Sequence, residues 1–199
     1  LNGRRYRLGL EAYLGDYHLG VYTIDFRRYV RLKPITIAGR LYGYGRFGTD
    51  EKRLYPLYVG YDYFIRGYNP NSFHNSGSAS DNGFNVNQLT GSRIAVANLE
   101  VRLPFTGPKK LSAIDSKFFF TDLNAFFDIG IAYYGDSKIA FDSQPSIISS
   151  TPAPTTNDPN ATSVVYNRIP AISAGISLRV NLFGVLIIEP YYAIPFQRT

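Results

Sequence analysis

The sequence alternates apolar and polar residues with a period of two over unusually long segments. The first segment, "RRYRLGLEAYL", carries on one side Tyr6, Leu8, Leu10, Ala12 and Leu14. Its other side carries Arg5, Arg7, Gly9, Glu11 and Tyr13. Because successive side chains of a β-strand point to opposite faces, this period predicts a strand with one polar and one apolar face.

Seven segments follow this pattern: "RRYRLGLEAYL", "VYTIDFRRYV", "ITIAGRLYGYGR", "RIAVANLEVRL", "LNAFFDIGIAYY", "ISAGISLRVNL" and "VLIIEPYYAIPF". Strands of globular proteins average about five or six residues, whereas a tilted strand that crosses a membrane needs roughly 9–11. Segments of about ten residues therefore favour an all-β transmembrane antiparallel barrel.

Composition agrees with an all-β chain and excludes several functions. Tyr (17) and Phe (14) are abundant, as strands favour, while the absence of Cys excludes disulfides and thiolate metal sites. The net charge of +6 comes from arginines, which outnumber lysines 15 to 6 and alternate with apolar residues without forming a run. Nucleic acid is therefore not an expected partner.

The connections between the segments are of two kinds. Short turns are predicted at 15–16 and 33–34, whereas long polar loops are predicted at 48–92 and 135–167. Short turns at one end and long loops at the other are typical of outer-membrane barrels, where the long loops are extracellular.

Two other folds stay open on the residues alone. A soluble sandwich also alternates, but Gly and Ala among the apolar positions and Tyr at the strand ends count against it. An eight-stranded barrel would need a further strand within "LYPLYVGYDYFI".

Short motifs resemble the C-terminal half of an Omp85-superfamily barrel, the bacterial surface antigen type. "FIRGY" at 64–68 resembles the V-R-G-F/Y signature of the family's sixth outer loop, and "DFRRYVRL" is similar to the strand two before it. "ANLEVRLPF", "AFFDIGIAY", "SAGISLRVNL" and "IIEPYYAIPF" resemble the four strands that follow, in the family's order.

The resemblance implies that the loop at 48–92 folds back into the lumen. Arg66 would then pair with inward carboxylates at Glu100 and Asp128, while Gly67 lets the backbone approach the wall. Phe64 and Tyr68 would pack as apolar wedges on either side. Other residues expected to line the lumen are Asp25, Arg27, Arg40, Arg102, Arg179 and Glu189.

The family's barrels have sixteen strands, so residues 1–199 are expected to be part of one barrel, with the final strand and about half of the barrel outside this sequence. The implied function is non-enzymatic: assembly and insertion of outer-membrane proteins, or protein translocation, in the bacterial outer membrane. Expected partners are outer-membrane lipid, nascent outer-membrane or secreted polypeptides, and periplasmic and lipoprotein subunits of an assembly complex. The alternative is a barrel that anchors or exports a fused sensor, propeller or patatin-type lipase domain.

Neither a metal nor a cofactor is expected. The histidines, His18 and His74, lie far apart without a ligand pattern around them. His74, Ser76 and Asp81 lie in one polar loop, but residues of these types are common in such loops, so a hydrolase is not expected.

Overall fold

The computed structural model describes residues 2–69, 72, 85–110, 112–116, 119–152 and 162–197. These residues form an all-β structure, in which a 3₁₀ turn at Val86–Leu89 is the one helical element. Within these ranges, no helix has the length and hydropathy that crossing a membrane requires.

Six strands of 11 to 15 residues dominate the structure. The full order is β1 Gly3–Tyr13, β2 Leu19–Leu32, β3 Ile35–Phe47, β4 Leu57–Tyr58, β5 Thr90–Gly91, β6 Arg93–Gly107, β7 Ile114–Asp115, β8 Phe119–Tyr133, β9 Ile147–Pro152, β10 Thr162–Tyr166, β11 Ala171–Leu182, β12 Leu186–Ile188 and β13 Tyr191–Pro195. Nine of these strands form the large sheet, in which β7 pairs with the end of β6. Outside it, β4 pairs with β5 and β9 pairs with β10.

The large sheet runs in the order β1, β2, β3, β6, β8, β11, with β12 and β13 both paired to β11. Each of these neighbours pairs antiparallel. The sheet is open: β1 and the β12–β13 segment are its two edges, and no described strand pairs with their outer sides.

The seventh predicted strand is interrupted at Pro190. The register of β12 on β11 continues unchanged into β13, which places Glu189 opposite Arg179. The Leu178 N–H donates to the Pro190 carbonyl (3.0 Å), but Pro190 has no N–H to return the bond. The two short strands therefore act as one strand that lacks a central ladder bond.

The cross-strand pairs arrange side chains in rows across the sheet, and adjacent rows face opposite ways. One row contains Arg27, Arg40, Asn98, Asp128 and Ser173. The next contains Phe26, Leu41, Ala97, Ile129 and Ile172. We call the face of the first row the polar face and that of the second the apolar face.

The apolar face is open to its surroundings. Leu8 is 75% exposed, and Leu41 and Ile176 are each 56% exposed. A soluble sandwich buries such a face against a second sheet, whereas in the described part of this chain these side chains stay uncovered.

Two connections differ from the prediction. The segment "LYPLYVGYDYFI" contributes only the two-residue strand β4 and then turns, so it does not form the further full-length strand that the alternative eight-stranded barrel would need. Val59 and Ile65 are fully buried there, because the segment packs on the sheet instead of extending it. The second long connection, 135–167, contains an antiparallel hairpin of β9 and β10.

Cross-linking tests the register that defines the two faces. In this cysteine-free chain, L41C and A97C face each other, so a short bis-methanethiosulfonate reagent should join them, since facing Cβ atoms lie about 4.5–5.5 Å apart. The matched control, L41C with V101C, has both cysteines on the same face about 13 Å apart along the strand. Equal cross-linking of both pairs would contradict the register.

Candidate functional site

The first long connection packs on the polar face and forms the main hydrophobic core with it. Loop residues Val59, Phe64, Ile65, Tyr68 and Leu89 are buried. They lie against the sheet and its flank at Ile94, Val96, Ala132, Ile169 and Ala171. The core of this structure therefore lies between a loop and a sheet face, and it fixes where the "FIRGY" motif sits.

Arg66 binds Asp128 through both its backbone and its side chain. The guanidinium donates from Nε to Oδ2 and from Nη2 to Oδ1, each at 2.8 Å. The Arg66 backbone N–H also donates to Oδ2, at 3.2 Å. Asp128 is fully buried, so this bidentate pair is made away from water, where charged hydrogen bonds are strongest.

The same guanidinium reaches the second carboxylate. Nη1 of Arg66 lies 2.8 Å from Oε1 of Glu100, and its Cζ lies 3.7 Å from the centroid of the Phe126 ring. Burial alone would lower the pKa of Arg66, but the bonds to Asp128 and Glu100 outweigh it and raise that pKa. The structure thus brings together the three residues of the predicted triad, with the arginine charged and stacked on an aromatic ring.

Asn98 belongs to the same network, although the sequence did not single it out. Its Nδ2 donates to Oδ1 of Asp128 (2.9 Å) and to the backbone carbonyl of Phe64 (2.8 Å). It therefore holds the carboxylate and the loop backbone at once. Its position on the polar face next to Glu100 was the available signal, but an amide on such a face has no specific motif.

Gly67 lies against the last strand. Its φ of 87° is in the left-handed region, and a Cβ there would meet the Ala193 Cβ at 2.9 Å. Both the conformation and the lack of space require glycine at this position.

Tyr68 and Phe64 are buried on either side of the arginine. The Tyr68 hydroxyl lies 3.0 Å from the Ile172 carbonyl and 2.8 Å from Oε1 of Gln197, and it accepts from the Gln197 N–H at 3.3 Å. Burial raises the pKa of Tyr68 to about 12, so the phenol keeps its proton. Phe64 packs against the Tyr42 ring, with centroids 5.2 Å apart.

The other predicted residues form three smaller groups on the polar face. Asp25 accepts from Arg27 (2.8 Å) and from Nε of Arg40 (3.3 Å). Arg102 donates to Glu100 through Nε at 2.8 Å, and Nε of Arg179 lies 3.6 Å from Glu189. A polar cavity of about 380 Å³ remains between the loop and this face, lined by residues of both charges.

The long loops are also tied to each other and to the sheet by residues that the sequence did not reveal. Glu51 accepts from Nη2 of Arg93 at 2.9 Å, and Lys52 donates to Asp136 at 2.7 Å. The buried Gln88 donates to the Asn167 carbonyl at 3.0 Å. Nothing in the local sequence pairs these residues, because each contact joins distant segments.

The described residues contain no cluster of three His, Cys, Asp or Glu side chains that could hold a metal ion. The His18 backbone N–H donates to Oδ2 of Asp50 at 2.7 Å, which joins the connection between β1 and β2 to the loop that follows β3. His74, Ser76 and Asp81 lie outside the described residues.

Comparisons with known proteins add no relative: no family model, no curated protein and no solved structure matches the chain.

Removing Arg66 should destabilise the structure strongly. Arg66→Ala leaves Asp128 buried and without its ion-pair partner, and we expect a loss of about 3–5 kcal/mol in the free energy of unfolding. The Asp128→Ala change should cost less when Arg66 is already Ala, because the partner charge is gone. Urea unfolding and protease protection of the loop measure both effects. Arg4→Ala, at an exposed arginine of β1, is the control, and equal loss there would argue against the network.

Gly67→Ala should destabilise the loop by at least about 1–2 kcal/mol, because alanine is unfavourable in the left-handed region and its Cβ contacts Ala193. Gly39→Ala is the matched control, since a Cβ at Gly39 meets nothing within 4 Å. Thermal unfolding of both variants measures the loss of stability. A Gly67→Ala variant as stable as the Gly39→Ala variant would contradict the prediction.

Proposed function

We propose that this chain is part of an outer-membrane β-barrel of the Omp85 type, located in the bacterial outer membrane. The polar face would line the lumen and the apolar face would contact lipid. Support comes from the sheet itself, in which most of the charged side chains share one face and exposed Leu, Ile and Phe side chains share the other. The register places Arg4, Arg28 and Arg93 on the apolar side, as exceptions. Contiguous exposed apolar surfaces of this kind mark sites of contact with a membrane or with another protein.

The open edges support the same proposal. In lipid, each unpaired backbone group costs several kcal/mol, so a membrane sheet must close on itself. The outer sides of β1 and of the β12–β13 segment are both without a described partner. We propose that both edges pair with further strands of one barrel. Barrels of the Omp85 family have sixteen strands.

The observation that carries the proposal is the contact of Arg66 with both Glu100 and Asp128. The resemblance names these three positions from separate motifs, and in the structure the guanidinium lies 2.8 Å from each carboxylate. A loop held in this way occupies the proposed lumen and leaves a polar cavity beside it. The network has the chemistry of a structural clamp, because its ion pairs and hydrogen bonds join the loop backbone to two strands of the sheet.

As the function, we propose assembly and insertion of outer-membrane proteins or translocation of polypeptides, without enzymatic chemistry. The clients would be nascent outer-membrane or secreted polypeptides. Periplasmic and lipoprotein subunits of an assembly complex would be further partners.

Reconstitution tests this function. The full-length protein is incorporated into lipid vesicles, a urea-unfolded small outer-membrane barrel is added, and the folded fraction is followed by heat-modifiable migration on a gel. We expect faster folding of the client than with empty vesicles. Arg66→Ala should reduce the acceleration, because the loop loses its anchor on the polar face, whereas Arg4→Ala should not.

Each other outcome has a definite meaning. A protein that does not enter the membrane fraction contradicts the barrel. A protein that enters the vesicles but leaves client folding unchanged contradicts the assembly function and favours a barrel that anchors or exports a fused domain.

A further inference from the structure

Arg28 stands among apolar side chains on the apolar face of the sheet. It lies two positions after Phe26 in β2, so both side chains point to the same side, and it is exposed. The register places a second exposed arginine, Arg4 of β1, directly opposite it. Like charges that face each other across two strands destabilise a sheet, so this position favours a partner that brings negative charge.

The described part of the chain supplies no such charge to Arg28. Arg93, the third arginine on this side, has its own carboxylate, because its Nη2 donates to Glu51 at 2.9 Å. Among the described residues, no carboxylate lies within ion-pair distance of Arg4 or Arg28. Arg28 is also an inner position, with strands paired on both sides. Its nearest neighbours on this face carry no acid: Arg4, Gly39, Phe26 and Val30.

An apolar cavity of about 400 Å³ lies beside Arg28 and includes it in its lining. Its floor is at Gly39, which the register places directly opposite Arg28. A Cβ added at Gly39 would meet no atom within 4 Å, so the space above the backbone is open. Exposed apolar side chains form much of the rest of the wall: Phe26, Leu41, Leu99 and Phe127. The site therefore joins an accessible cation to an open apolar cavity.

The position of Arg28 along its strand is suited to a lipid headgroup. Arg28 precedes Leu32, the last residue of β2, by four positions, which is about 13 Å along the strand. In a membrane strand tilted by about 45°, this corresponds to about 9 Å of depth. An arginine can lay its stem on apolar surface and direct its guanidinium toward the headgroups, covering most of that depth on the side of the short turn at 33–34.

We infer that Arg28 binds the phosphate of an anionic phospholipid, with part of an acyl chain in the cavity above Gly39. The inference rests on the proposed membrane location and adds a specific lipid site to it. A guanidinium matches the geometry of a phosphate, and the opposed Arg4 raises the local positive charge, which favours a headgroup of net negative charge. The exposed apolar wall matches the acyl chain of the same molecule.

The test measures lipid contact at this one place. The chain contains no tryptophan, so Phe26→Trp adds a reporter to the cavity wall, and its signal is taken as the difference from the protein without it. Full-length protein is incorporated into dioleoyl-phosphatidylcholine vesicles that contain the same mole fraction of either phosphatidylglycerol or phosphatidylcholine with brominated acyl chains. Bromine quenches tryptophan on contact. We expect the quenching to give about tenfold preference for phosphatidylglycerol, as from a charged hydrogen-bonded pair.

The second reporter, Ile176→Trp, controls for lipid contact elsewhere on the apolar face. Ile176 is exposed in the row of Val30, next to the row of Arg28, and lies four strands away, about 19 Å. It should be quenched equally by the two lipids.

Three variants in the Phe26→Trp background separate the parts of the site. Arg28→Gln should abolish the preference. Gly39→Leu should weaken it, because the new side chain fills the cavity and leaves the arginine in place. Lys33→Gln, in the turn after β2, removes a charge outside the site and should keep the preference. Heat-modifiable migration verifies that each variant is folded.

The other outcomes overturn the inference in distinguishable ways. If Arg28→Gln or Gly39→Leu retains the full preference, or if Phe26→Trp shows none, the lipid site is wrong while the membrane location stands. Quenching at Ile176→Trp alone would mean that a protein covers Arg28, which also contradicts the lipid site. If neither lipid quenches either reporter, the membrane location fails, and the lipid site with it.

Discussion

The pairing of Arg66 with Asp128 and Glu100 is the interaction on which the arrangement of the loop and sheet depends. Two carboxylates and two guanidinium groups, those of Arg66 and Arg102, balance in charge within a few ångströms of one another. Asp128 is fully buried, so without Arg66 it would be an unpaired charge away from water, which is among the costliest local defects in a protein. The ion pair also fixes the loop backbone at Arg66, and this position lets the neighbouring Ile65 and Tyr68 side chains pack in the hydrophobic core.

The two faces of the sheet have different surroundings, because the loop packs on only one of them. The described residues of the first long connection pack on the polar face, which retains charged groups that bond to one another, whereas the apolar face has no such cover among the described residues. In most soluble antiparallel sheets the assignment is the reverse, with the apolar face inside and the charged face in water. The inverted arrangement is the physical basis for the proposed membrane barrel.

Periodicity was enough to predict the six long strands and the face of each of their residues, because a strand's side-chain direction depends only on position along the chain. It could not reveal that "LYPLYVGYDYFI" turns, since burying Val59 and Ile65 on the polar face is a tertiary effect that overrides a local pattern. The sequence pattern also did not predict the break at Pro190 or the β9–β10 hairpin. The break depends on how Pro190 faces its partner strand, and the residues of the hairpin resemble a polar loop. For the site, the motif indicated Arg66, Glu100 and Asp128, whereas Asn98 became apparent only from the contact of its amide with Phe64.

The rows of paired side chains limit how this chain can change in length. An insertion of one residue in the middle of β6 would move every later residue of that strand to the other face, placing Glu100 and Arg102 among the apolar side chains and Leu99 and Val101 beneath the loop. An insertion of two residues would keep every side chain on its own face and change only its neighbours. Strand lengths in such a protein should therefore vary between relatives in even steps, while odd changes are confined to the turns and loops.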